Sequence, residues 1–323
     1  MESILDIASA FQRSRVLLSA WELGIFTVLA DERRSSAEVT EAIGAEARGT
    51  DRVMNALCAM GLLEKRDGLF ANTDQSGRYL VKGKPDYMAG LGHTAHMWET
   101  WSTLTATVRE GKPAPGTGVL DRGEDWLRPF IAAMHWRGRR HAPAVVSLLD
   151  LTGISRVLDV GGGSGAFAMA FVRARAGISA VVFDLPGVVP LTRNYVHVEG
   201  FAAQIETVAG DYLTDDLPAG FDLVFLSAVV HSNSAGQNER LIRKSAAALN
   251  PGGQVVIQDW LMAEDRSGPA GAALFAINML VGTECGDTYT ESEVRGWMAA
   301  AGLGDIHRTD VPSGTSLMVG TKR

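Results

Sequence analysis

The stretch Val157-Leu158-Asp159-Val160-Gly161-Gly162-Gly163-Ser164-Gly165-Ala166-Phe167 constrains this chain more than any other. A β-branched apolar run stops at an acid and four glycines, and a helical pattern follows. The pattern predicts a strand, a tight turn and a helix start. Glycine lets the turn take positive φ and lets a ligand approach the backbone closely. The turn alone does not select the ligand. Gly161, Gly163 and Ala166 satisfy the relaxed dinucleotide fingerprint, so NAD is still open on these residues.

Two further acids narrow the choice. Ser179 to Asp184 reads as a second strand, and an acid at its tip accepts hydrogen bonds from ribose hydroxyls. Ile205 to Ala209 reads as a third strand, followed by Gly210-Asp211-Tyr212. Here Asp211 is placed to accept from an adenine amino group and Tyr212 to lie on the ring. A NAD site does not require this third element, whereas an S-adenosylmethionine (SAM) site commonly has it. Asp159 is then expected to face the amino-acid end of SAM.

Strands and helices alternate from about residue 150 onward. Phe221 to Ser227 and Gln254 to Asp259 are the fourth and fifth strands, with a helix over 238–249 between them. The near-continuous apolar runs predict a parallel sheet covered on both faces. Ile306 to Asp310 and Ser316 to Gly320 read as a closing hairpin, and a helix over 291–301 is capped by Thr290.

Residues 1–112 read as a separate, mostly helical module, with 113–323 as the second domain and Gly111 to Gly118 as the linker. Ile4, Ile7, Phe11, Val16 and Leu17 recur near helical spacing. Ser35 and Glu38 have the spacing of a capping box. A helix over 50–60 precedes Leu62 to Lys65 and Leu69 to Asn72, which flank an Arg66-Asp67-Gly68 turn. This is a winged-helix pattern, and charge decides against the DNA-binding reading of it. Residues 1–100 hold 11 Lys and Arg against 14 Asp and Glu, and helix 50–60 carries Arg52 as its one base. Phosphate contacts supply most non-specific DNA affinity, and this helix offers few. The module is read instead as a packing or dimerisation unit.

The formal charge of −7 likewise points away from nucleic acid or an anionic membrane surface as partner. Cys58 and Cys285 form no spaced pair, which fits a reducing cytoplasm. The start Met1-Glu2-Ser3-Ile4-Leu5-Asp6 lacks a secretion signal's basic start and apolar core. His93 and His96 have no acid or cysteine at an informative spacing to complete a metal site.

These elements together resemble the two-domain SAM-dependent small-molecule O-methyltransferases of the caffeic acid, hydroxyindole and bacterial polyketide type. The resemblance covers nearly the whole chain. It rests on the winged-helix module, Leu158 to Gly165, Phe183-Asp184-Leu185-Pro186, Gly210-Asp211 and Leu249-Asn250-Pro251-Gly252-Gly253. It implies an α/β fold, with a Rossmann-like methyltransferase domain after a winged-helix dimerisation domain. It also implies SAM as cofactor, S-adenosylhomocysteine (SAH) as product and a homodimer.

The cofactor residues are then Asp159, Gly161, Gly163 and Gly165 on the turn, Asp184 with Leu185, and Asp211 with Tyr212. Ser227 stands where the family often has a Lys that meets the adenosyl end. In the family the loop after the fourth strand reads His-Asp-Trp, and its His is the catalytic base. Here it is His231-Ser232-Asn233. Asp259, 28 residues on, matches the acid that partners the base. The family's second acid falls at Thr288, with Asp287 adjacent.

A free phenol has a pKa near 10, so a base within reach speeds its attack by ~10²–10⁴-fold, and no metal is required. The acceptor is expected between the domains, walled by Trp98, Met134, Met279 and Thr283. The absence of His-Asp-Trp and of the second acid keeps two alternatives open. One is C-methylation of a conjugated ring. The other is a SAM-binding relative that transfers no methyl.

Overall fold

The computed structural model describes residues 3–113, 116 and 123–323, and the chain divides into two compact units, Met1–Met97 and Trp98–Arg323. Of the expected linker, Ala114, Pro115, Thr117 and Gly118 lie outside the described residues, as do Met1 and Glu2 of the expected leaderless start.

The first unit begins with helices α1 (Ile4–Ser9), α2 (Phe11–Glu22) and α3 (Ile25–Val28), then β1 (Arg34–Ser35) and α4 (Ser36–Ile43). The Ser35–Glu38 capping box forms as expected, a device of about 1 kcal/mol. The next helix, α5 (Ala47–Ala59), starts three residues before the expected Thr50. The Glu46 carboxylate accepts from Arg48 N (2.9 Å) and Gly49 N (2.8 Å) and so caps the helix from an unusual residue type. Strands β2 (Leu63–Arg66) and β3 (Leu69–Asn72) pair through Asp67 (φ 51°) and Gly68 (φ 80°). Two successive positive φ values make the two-residue turn whose twist suits a hairpin.

Helix α6 (Asp74–Tyr79) follows the hairpin. Ile25, Phe26, Val39, Met54, Leu57 and Phe70 close one core. All of α1 stays outside that core, with Ile4 84% exposed and Ile7 62%.

Residues 91–110 form two helices, α7 (Leu91–Ser102) and α8 (Leu104–Glu110), broken at Thr103. The unit boundary falls within α7, upstream of the 112/113 position read from glycine and proline content. Trp101 Nε1 donates to Asn278 Oδ1 (2.9 Å), a bond within the second unit.

The second unit continues with α9 (Glu124–Val146), β4 (Arg156–Val160), α10 (Ala166–Ala174), β5 (Ser179–Asp184), α11 (Val189–Val198), β6 (Ile205–Ala209) and β7 (Phe221–Ser227). After these come α12 (Ala235–Ala248), β8 (Leu249–Asp259), β9 (Leu261–Met262), α13 (Ala270–Gly282), β10 (Tyr289–Thr290), α14 (Glu291–Ala300), β11 (Leu303–Asp310) and β12 (Ser316–Lys322). The main sheet runs β11-β12-β8-β7-β4-β5-β6. Strands β4 to β8 pair in parallel, and β12 lies antiparallel between β8 and β11.

Two buried clusters cover the sheet's two faces. One packs Leu158, Val224, Val255 and Met318 with Leu241 and Met298. The other packs Val157, Val182, Phe225 and Leu317 with Val145 and Phe171. Strand order reverses between β4 and β7. Ligands of open α/β sheets bind at such a switch point, outside the carboxyl ends of the strands.

Candidate active site

The turn after β4 is built from backbone that favours glycine. Gly161 (φ 66°), Gly163 (φ 56°) and Gly165 (φ 75°) all lie in the left-handed region. Gly162, not singled out in the sequence, is required for space: a Cβ there would sit 2.6 Å from the Asp159 carboxylate and 2.9 Å from Val182 Cγ1. Asp159 therefore lies beneath the turn. Its Oδ2 accepts from Ala168 N (3.2 Å), and its Oδ1 is buried with no hydrogen-bond partner among the described residues. Burial pushes this carboxyl up to about 7, and the neighbouring Asp184 adds to the shift.

Asp184 ends β5 beside the turn. Its Oδ2 accepts from Gly163 N and its Oδ1 from Leu185 N, each at 2.7 Å. Burial raises it to about 6 against the pull of those two donors. The carboxyl thus holds the turn and the half-buried Leu185 together at one point.

Asp211 is half-buried and forms a local turn, accepting from Leu213 N (2.8 Å). Tyr212 reaches toward the glycines, its Cε1 lying 3.7 Å from where a Gly161 Cβ would stand. Its hydroxyl donates to Asn233 Oδ1 (3.2 Å), a partner with no signal in the sequence. Ser227 spends its hydroxyl on Gln258 Oε1 (2.5 Å), and Gln258 Nε2 donates to Thr315 Oγ1 (2.9 Å).

β7 ends in a sharp redirection. Ala228 takes φ 57°, a conformation that costs a non-glycine residue about a kcal/mol or more. Val229 then packs over the glycine turn, its Cγ2 2.9 Å from a Gly161 Cβ position. Two residues on, His231 sits in a short 3-10 turn (Val230–Ser232), 8% exposed. Its Nδ1 lies 2.8 Å from Asp259 Oδ1 and 3.0 Å from Oδ2, and Asp259 is 1% exposed. Asp259 also accepts from His231 N (3.3 Å) and Trp260 N (2.9 Å). With Nδ1 held on a buried carboxylate, Nε2 is the nitrogen left to exchange a proton.

Among the described residues, no second acid joins this pair. Asp287 points its carboxylate at Arg266 Nη1 (3.2 Å), while its backbone N–H donates to His231 O (2.9 Å). Thr288 is fully buried, with its hydroxyl on Ala272 O (3.3 Å). The imidazole instead meets aromatic rings. Phe275 stands edge-on to it at 4.7 Å and 86°, and Trp260 stacks on Phe275 at 4.1 Å and 23°. Neither ring was read from the sequence as part of the site.

Met279 is buried one helical turn beyond Phe275 on α13, and Thr283 follows a further turn on. Met279 therefore lies on the side of α13 that carries Phe275, while Thr283 is the extended C-cap residue after Gly282. The Thr283 hydroxyl closes the helix end, donating to Met279 O (2.7 Å) and accepting from Gly286 N (2.9 Å). Met134 is half-buried on α9, and Trp98 is 36% exposed.

The O-methyltransferase domain family matches residues 101–304, and the O-methyltransferase dimerisation domain family matches residues 5–82. The chain is 33% identical to a 3-hydroxy-5-methyl-1-naphthoate 3-O-methyltransferase of Streptomyces sahachiroi, over 99% of this chain and 94% of that protein. It is 32% identical to the tetracenomycin polyketide synthesis 8-O-methyl transferase TcmO of Streptomyces glaucescens, over 99% of this chain and 96% of that protein. Among solved structures, human N-acetylserotonin methyltransferase in complex with SAM superposes with a TM-score of 0.87. That pair shares 28% identity over 99% of this chain and 96% of the other.

Proposed function

The chain belongs to the SAM-dependent O-methyltransferase family, and from that premise we propose that it methylates a hydroxyl of a small aromatic or polyketide-type metabolite, without a metal and with His231 as general base. The observation that carries the reading is the buried His231–Asp259 pair, set two residues beyond Val229, which packs on the glycine turn. The acceptor class follows from relatives whose names give a hydroxynaphthoate as substrate and a role in polyketide synthesis.

The residues present fit the cofactor. The glycines leave backbone exposed to a ligand, and Asp184 offers a carboxylate beside them for a ribose diol. Tyr212 borders the same turn, with Asp211 beside it in the chain, and Leu185 and Ser227 lie at the neighbouring strand ends. SAM, when bound, supplies an electrophilic methyl on a sulfonium.

The remaining chemistry belongs to the chain. Nε2 of His231 takes the proton of the acceptor hydroxyl as it attacks. Asp259 fixes the tautomer and stabilises the imidazolium that forms. Phe275 and Trp260 limit the ring's freedom to turn, and with Met279 they give a flat acceptor an apolar wall. Trp98, Met134 and Thr283 complete the proposed acceptor side.

We read the first unit as the dimerisation module of a homodimer. Support comes from the matched dimerisation family and from the exposed Ile4, Leu5, Ile7 and Phe11, an apolar surface that a second copy would cover. No helix among the described residues is long and apolar enough to cross a membrane, and we place the enzyme in the cytoplasm.

The test is to incubate the protein with SAM, EDTA and a panel of phenols, hydroxynaphthoates and hydroxyquinones, and to measure SAH and methyl ether. Transfer to oxygen in EDTA, lost in His231→Ala, is the expected result. Methyl on carbon, or a strict need for divalent metal, would overturn the reading.

A further inference from the structure

His135 is a buried imidazole outside the proposed proton transfer, and it touches the glycine turn. It projects from the middle of α9, 8% exposed, with Nδ1 3.0 Å from Ser164 Oγ. Ser164 is the one side chain within the run of glycines that can make a hydrogen bond, and it is 2% exposed. The imidazole stacks on Tyr195 of α11 at 4.0 Å and 22°. Its Nε2 lies 3.9 Å from Glu199 Oε1, and Glu199 is in turn paired with Arg139 (3.4 Å) and Arg173 (2.8 Å).

The approach of α9 is made possible by Gly138, one turn after His135. A Cβ at Gly138 would lie 2.6 Å from Ala166 Cβ, at the start of α10. From the other side, Thr192 of α11 donates its hydroxyl to Gly163 O (2.5 Å). Two helices distant in sequence therefore grip the turn by side-chain hydrogen bonds.

We infer that His135 is a positioning residue for cofactor binding: through Ser164 it holds the glycine turn in the shape that receives SAM. The inference rests on the reading of residues 161–165 as the cofactor cradle. The polarity of the bond follows from its surroundings. Burial pushes the imidazole down to about 4, so it is neutral where the enzyme works. Of its two nitrogens, Nε2 faces the Glu199 carboxylate and carries the hydrogen. Nδ1 is then the acceptor, and the Ser164 hydroxyl donates to it.

A turn with three positive-φ glycines is conformationally free when untethered, and ordering it costs affinity when a ligand binds. A tether removes that cost before binding. Its loss therefore appears in cofactor affinity and leaves proton transfer at His231 unaffected.

SAH binding to the full-length protein by calorimetry tests this without knowledge of the acceptor. His135→Phe keeps a ring to stack on Tyr195 and loses the bond. Ser164→Ala removes the other partner. His135→Asn restores a polar atom near the Nδ1 position. One net hydrogen bond corresponds to about 2–10-fold in affinity. H135F and S164A should each weaken SAH by that factor, their combination should be no worse than either alone, and H135N should recover most of the loss.

Unchanged affinity in S164A, or losses that multiply in the double variant, would overturn the inference. So would a loss in H135F that H135N does not recover. If H135F does not fold, S164A and H135N decide alone. An Asp184→Ala control separates the two levels: if it binds SAH as well as the wild type, the cradle reading fails, whatever His135 does.

Discussion

The turn after β4 and the loop after β7 stand side by side at the sheet's switch point, yet they are built on opposite plans. The first presents backbone: three positive-φ glycines and a fourth with no room for a side chain. The second presents side chains: a histidine on a buried carboxylate, braced by Phe275 and Trp260. A site made of backbone tolerates few residue types and keeps a recognisable sequence. A site made of side chains keeps its function only while remote elements deliver the right partner. This is why the proposed cofactor side keeps the family's glycines and strand-end acids, whereas the proposed catalytic side keeps one acid and has Thr288 where the resemblance puts the other.

The contrast predicts separable losses. The largest should come from His231→Ala, which lowers methyl transfer by ~10²–10⁴-fold and leaves SAH affinity nearly intact. A loss below about threefold with the true acceptor at saturating SAM would reject His231 as the base and leave positioning to carry the reaction. Asp259→Asn should cost less, because the carboxylate orients the base and does not itself take the substrate proton.

Next in size is Asp184→Ala, expected to weaken SAH by about tenfold or more in calorimetry, since charge-assisted hydrogen bonds are the strong ones. The same carboxyl sets a pH dependence. Its folded value is raised to about 6, so it gains a proton as pH falls through 6 and no longer accepts as a carboxylate. SAH affinity should therefore fall between pH 7 and pH 5, and Asp184→Asn should flatten that slope. A slope that persists in Asp184→Asn would assign it to another group.

Phe275→Leu tests the aromatic brace. An edge-on ring pair is worth about 0.5–1.5 kcal/mol, so turnover should drop by about 2–10-fold with SAH affinity unchanged. Equal turnover in Phe275→Leu would reduce the ring to ordinary packing.

A separate effect concerns Asp159 and is read in the stability of the cofactor-free protein. Its folded carboxyl is raised to about 7, against about 3.9 in an unfolded chain. The folded state thus binds the proton more tightly. Stability drawn from neutral Asp159 is full below pH 4 and is lost as pH rises through 7. Asp184 contributes with the same sign. Urea midpoints at pH 5 and pH 7.5 should differ less in Asp159→Asn than in the wild type. An unaltered difference would show that Asp159 is ionised throughout.

Much of the fold was legible from local rules. The Asp67-Gly68 hairpin and the boxes at Ser35 and Thr290 formed where the residue types required them. So did the five parallel strands and the closing hairpin. Local rules failed where a residue acted out of type. Glu46 capped α5, and Ala228 took a left-handed turn that nothing in its chemistry announces. At the site, the family resemblance already paired His231 with Asp259. Neither the residues nor the resemblance revealed Phe275 or Trp260 beside the imidazole, Asn233 on Tyr212, or His135 on Ser164.

The sequence by itself determined the glycine turn, the acids that end the strands and the parallel order of the domain, because each is a demand of local backbone geometry or of alternating elements. Tertiary structure decided the rest. It turned Asp287 toward Arg266, buried Thr288 under α13 and brought α9 against the turn through Gly138. The physical reason is that a positive φ excludes most residue types at one position, and so leaves a mark in the chain. A contact between side chains on separate elements can be met by many residue pairs, and only the packing of those elements selects which pair meets.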